Sequence, residues 1–139
     1  MYKKFLRNFT AGLIASTVAI TLNAVPAKAD ISEIDIQYLF WVNTLLRQSE
    51  NHMINAPDQV KTDAGLKFCL ALSDGTTSYK DMRQIVIETY AAKGYTFEQA
   101  KPVFDYFMAT ALASVNSYCP QFKKQIEVSE ANTKASPVR

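Results

Sequence analysis

Beyond residue 30, apolar residues recur with a helical period along most of the chain, and the spacing predicts four helices. The first opens where Ser32 is followed three residues later by Asp35, the signature of a capping box. Its apolar stripe is Ile34, Tyr38, Trp41, Val42 and Leu45, widened by Leu39 and Leu46, and it is expected to run out before Asn55-Ala56-Pro57. The second begins near Pro57-Asp58, where proline suits the first turn. Its main face is Val60, Ala64, Phe68 and Leu72. Leu66, Cys69 and Leu70 make its second half apolar almost all round, so it is expected to be the most buried helix. Asp74-Gly75 stops it.

Ser78 with Asp81 repeats the capping signature for a third helix, with Met82, Ile85, Val86 and Thr89 as its stripe and Lys93-Gly94 as its end. Thr96 with Gln99 caps a fourth, in which Pro102 is expected to kink the chain or restart the helix. Phe104, Phe107, Met108, Ala111, Val115 and Tyr118 then form the cleanest amphipathic pattern, ended by Pro120. Residues 127–139 lack any period and read as a disordered tail. No strand-like alternation of useful length occurs. The predicted class is all-α: a small bundle of about four helices over residues 30–126, with short connections favouring antiparallel neighbours.

The first 29 residues follow different rules. Lys3, Lys4 and Arg7 precede a run from Phe9 to Val25 without a charge, and Pro26-Ala27-Lys28-Ala29 supplies a helix breaker and an A-x-A site. Positive start, apolar middle and small-residue exit make a signal peptide, cleaved between Ala29 and Asp30. The rival reading is an uncleaved anchor, for which the run is short and interrupted by Thr10, Ser16, Thr17, Thr21 and Asn23. The product is expected to be exported, periplasmic or secreted, with no stable membrane span after cleavage.

Cleavage changes the charge. Of 15 Lys and Arg, Lys3, Lys4, Arg7 and Lys28 leave with the leader while all 13 Asp and Glu stay, so a net +2 becomes −2. No basic stripe survives, which argues against a nucleic-acid partner. The 110 residues that remain of 139 suffice for one core. Cys69 and Cys119 stand alone, without a C-x-x-C or a companion histidine, and in an oxidising compartment such a pair is expected to bond to each other. Metal and redox chemistry are the rival uses.

Gly65, Cys69, Leu72 and Gly75, then Gln99-Ala100, then Tyr118-Cys119-Pro120 form a pattern that resembles the bacterial exported proteins of the domain of unknown function 732 family. The resemblance covers about residues 35–120. The Gly65-x-x-x-Cys69-x-x-Leu72-x-x-Gly75 spacing is its specific part. The stretch from Ala100 to Tyr118 is longer than the resemblance leads one to expect, with Pro102 where the extra length would enter. It implies a signal peptide, a short helical domain and a disulfide between the matched cysteines, and no reaction. On physical grounds Gly65 suits a close helix approach and Gly75 a left-handed position after a helix end.

Candidate chemistry is sparse. The single histidine, His52, falls near the end of the first helix, where it would serve the helix dipole or face water. A carboxylate pair is formally possible, for instance Asp58 with Asp63 or Asp74 with Asp81, but these sit at helix starts and ends, where acids cap and solvate. No cofactor motif, metal set or phosphate loop is present. One feature exceeds what a core needs: Ile36 and Phe40, one turn apart, fall outside the first helix's stripe beside Asn43 and Arg47. Either the chain after Pro120, with Phe122 and Ile126, folds over them, or Ile36, Phe40 and Arg47 form an intermolecular surface. Tyr106, off the stripe of the fourth helix, is a lesser candidate for exposure. The reading that follows is a non-enzymatic module binding another protein or envelope component, or a second copy of itself. A holdase-type chaperone and an enzyme with a carboxylate site are the alternatives.

Overall fold

The computed structural model describes residues 31–135; the expected leader and its expected cleavage between Ala29 and Asp30 lie outside the described residues, as do residues 136–139. Five α-helices and two 3-10 turns account for nearly all of it, with no strand among the described residues: α1 Glu33–Gln48, a turn His52–Asn55, α2 Asp58–Ser73, α3 Tyr79–Ala92, α4 Phe97–Ser117, a turn Pro120–Phe122 and α5 Lys123–Ala135. All three capping boxes form, at Ser32/Asp35, Ser78/Asp81 and Thr96/Gln99. Gly75 and Gly94 take left-handed φ values of 70° and 76° just past the ends of α2 and α3, as the turn residues there require.

Helix α4 is the spine. One of its sides, with Phe107, Ala111 and Val115, closes a core with Phe68 and Leu72 of α2, Tyr79 and Met82 of α3 and Ile126 of α5. Its other side, with Tyr106, Ala109 and Ala113, closes a second core with Tyr38, Leu39, Val42 and Leu46 of α1. Small residues dominate the α4 surface because both neighbours approach it closely. The Cys69–Cys119 disulfide, Cα–Cα 5.9 Å, ties α2 to the end of α4.

Several expectations are corrected. The most buried helix is α4, not α2, because α4 serves two cores while Leu66 and Leu70 of α2 face solvent. Tyr106, expected outside, is buried for the same reason. Helix α4 runs through Pro102 without restarting; so near the start of the helix the missing N–H removes only one bond, and the Pro102 carbonyl accepts from Asn51 Nδ2 at 2.7 Å. Helix α1 stops at Gln48, earlier than its pattern implied. There Glu50 adopts φ 52°, and the Asn51 N–H returns to the Leu46 carbonyl at 2.8 Å. This closes a Schellman-type end with glutamate in the position glycine usually takes.

The chain after Glu127, read as a tail, is helical as far as Ala135. Helix α5 and the turn before it dock through few residues. Phe122 and Ile126 enter the first core, and Glu130 accepts from Tyr79 Oη at 2.8 Å beside Arg83, 3.7 Å away. Lys61 is buried at 2% exposure. Its ammonium donates to Asn43 Oδ1 at 2.8 Å and to the Ile54 carbonyl at 3.1 Å, with Asp58 at 3.3 Å. A buried cation is tolerated when its donors are matched in this way, and Lys61 thereby fastens α2 to α1 and to the intervening turn.

Candidate functional site

Helix α1 presents two different sides. Tyr38, Leu39, Val42 and Leu46 are buried against α4, and Tyr38 stacks on Tyr118 with centroids 4.7 Å apart. Tyr118 Oη donates to Asp35 Oδ1 at 2.5 Å, and Ser32 Oγ donates to the other carboxylate oxygen at 2.7 Å. The start of α1 is thus held to the end of α4 at its polar margin as well as through its core face.

The outer side carries Ile36 and Phe40, exposed at 59% and 63%. No segment among the described residues folds over them, since Phe122 and Ile126 pack into the α2–α5 core instead. Trp41, assigned to the core stripe, is 38% exposed and meets the Phe40 ring edge-on at 5.5 Å; Ile34, from the same stripe, is also exposed. The stripe was drawn too wide: only positions near Tyr38, Val42 and Leu46 reach α4. Arg47, exposed two turns beyond Phe40, ends this outer face with a cation. Ile36, Phe40 and Arg47 therefore share one solvent-facing side of a helix fixed at both ends, and Trp41, about 100° further round, joins it only through its contact with the Phe40 ring.

The remaining candidates lie apart from one another. His52 is exposed at the start of the 3-10 turn, not at the end of α1. Asp58 faces Lys61, Asp63 accepts from Gln59, Asp74 from Thr76, and Asp81 caps α3. Among the described residues no group of three His, Cys, Asp or Glu could hold a metal ion, and no helix is long and apolar enough to cross a membrane. The phenols are the most perturbed groups. Burial pushes Tyr106 up to about 12 and raises Tyr38 and Tyr79 further. With Thr110, the Tyr38 and Tyr106 hydroxyls sit in the α1–α4 core without a well-formed hydrogen bond, an arrangement that stores neither a nucleophile nor a base near neutrality. Comparison with family models, curated proteins and solved structures finds no match.

Two carboxyls titrate below their ordinary range. Asp35 is lowered first by the Tyr118 hydroxyl and then by Ser32, and Asp81 by Ser78. A carboxyl whose pKa is depressed on folding binds fewer protons folded than unfolded between the two values. Its contribution is complete above the unfolded value, 3.8, and is lost as pH falls through the folded one. Thermal melts from about pH 2 to pH 6 should show a midpoint that rises with pH at the acid end. Tyr118→Phe should flatten that rise; an unchanged acid limb in Tyr118→Phe would remove Asp35 from the account.

Proposed function

We propose that the chain is an exported, non-enzymatic binding domain that docks through the outer side of α1 onto another protein or an envelope component. The observation that carries this reading is the exposed pair Ile36 and Phe40, one turn apart on α1, with Trp41 edge-on against Phe40 and no described segment covering them. Aromatic side chains on a rigid helix are efficient anchors, since they contribute large area with few rotamers to lose, and an i, i+4 pair is the spacing by which a helix enters a groove. A leader-type N-terminus and a disulfide-closed domain fit an extracytoplasmic setting. The resemblance to the domain of unknown function 732 family points the same way and assigns no reaction.

The test is native co-purification from envelope and medium fractions with the parent, Phe40→Asp and Leu70→Asp. Phe40 and Leu70 are similarly exposed, on α1 and α2. Both variants should melt within about 0.5 kcal/mol of the parent, as surface changes do. One protein recovered with the parent and Leu70→Asp, and lost with Phe40→Asp, is the expected result. Recovery insensitive to Phe40→Asp would refute a docking role for α1. Indiscriminate recovery weakened equally by both variants would favour holdase behaviour.

A further inference from the structure

A pocket of about 190 Å³ opens at the tip of the α3–α4 hairpin, away from α1. Val86, Ile87 and Tyr90 of α3, Tyr95 of the turn, and Phe97 and Phe104 of α4 form most of its wall. Tyr95 and Phe97 stand at the lip, 49% and 69% exposed. Tyr95 folds back on the end of α3, its ring 5.7 Å from that of Tyr90 and its N–H donating to the Tyr90 carbonyl at 3.1 Å, while the Thr96/Gln99 box and Gly94 shape the rest of the turn. Phe97, the more exposed of the two, stands at the mouth of a concave apolar wall.

No charged side chain lines the pocket, yet two cations rest on its rings. Arg83 lies 5.3 Å over Phe104 and Lys93 5.3 Å over Tyr90. Arg83 is near Glu130, whereas Lys93, exposed past the end of α3, has no ion pair among the described residues. Two acids are near: Glu88 and Glu98 directly follow the lining residues Ile87 and Phe97 without lining the pocket themselves, and Glu88 accepts from Gln84 at 2.8 Å. The site is thus an apolar wall with one unpaired positive charge beside it. A cavity of about 150 Å³ admits benzene, so the space suits one ring or a short alkyl chain and is smaller than a drug-sized pocket.

We infer that this pocket binds a small monocarboxylate, its short alkyl or single-ring body among Tyr90, Tyr95, Phe97 and Phe104 and its carboxylate against Lys93. The site is separate from the α1 surface, and its test leaves that reading untouched. Titration of the oxidised, leader-free protein with butanoate, hexanoate and octanoate, followed by amide shifts and calorimetry, should localise binding to residues 86–104. Affinity should rise about threefold to fourfold for each added methylene until the pocket is full. Hexanoate should bind about threefold more tightly than 1-hexanol, and Lys93→Gln should erase that difference, as for a partly exposed ion pair. Ala91→Trp, at an exposed lining position, should abolish binding of both; Phe97→Ala, which removes one lip, provides the same check if the larger residue disturbs folding. Shifts scattered outside residues 86–104, or none with octanoate, would overturn the site. Equal binding of hexanoate, hexanol and hexylamine would overturn its preference for an anion.

Discussion

Replacing both Cys69 and Cys119 by alanine is expected to lower stability by about 4 kcal/mol, the chain-entropy value for a closed loop of this length. The bond spans 50 residues, and the loop it closes contains α3 and all of α4. In the unfolded chain it therefore restricts nearly half of the helical domain. For a domain of about 100 residues the loss corresponds to a fall in melting temperature of roughly 15 °C or more. Alanine is the informative replacement. Both cysteines are buried, and serine would add the separate penalty of an unpaired hydroxyl. Denaturant melts of the oxidised parent and the double variant check the value, with the slopes showing whether the unfolded chain has expanded. A variant within about 1 kcal/mol of the parent would mean that the unfolded chain already keeps α2 close to the end of α4.

How much was legible in the sequence depended on whether the decisive signal was local. Caps are local: Ser32, Ser78 and Thr96, each with its partner three residues on, placed three helix starts. The lone cysteines could be paired because only one pairing exists. The end of α1 was not legible, since Glu50 takes a left-handed conformation for which glutamate gives no sign, and Asn51 secures it through Pro102, 51 residues away. Helix α5 escaped because Ile126 is the one buried residue among its described side chains, too few to make a period, and it gains further hold from Glu130 meeting Tyr79. The burial of Lys61 had no local sign, because its acceptors come from α1, the following turn and α2.

The same division applies to the sites. Ile36 and Phe40 were legible as apolar residues off a helical stripe, although Trp41 was placed on the wrong side. The α3–α4 pocket was not, because its walls come from a helix end, a turn and a helix start, and no single period joins Tyr90, Tyr95 and Phe97.

Gly65→Ala is expected to destabilise by about 2 kcal/mol, against the usual direction of such a change in a helix. Alanine in place of a helical glycine ordinarily gains up to about 1 kcal/mol. Here a Cβ would stand 2.5 Å from Tyr38 Cε2 and 2.6 Å from Cζ, closer than van der Waals contact permits. The ring has little room to retreat. Tyr38 is fully buried and stacked on Tyr118, which is itself anchored to Asp35. The α2 backbone is also held close to α4, where the Ser114 hydroxyl shares its one proton between the Thr110 carbonyl at 2.6 Å and the Gly65 carbonyl at 3.2 Å. Overpacking against such a site costs about 1–3 kcal/mol, with the upper end expected where neither partner can shift. The proposed close helix approach at Gly65 is thus an approach of a ring of α1 to the backbone of α2. Tyr38→Leu tests that assignment, since it removes the ring the new methyl would meet. Each single variant should lose stability, and the double variant should lose less than their sum by at least about 1 kcal/mol, because the clash is absent. Strictly additive losses would show that the Tyr38 ring does not set the distance between α1 and α2.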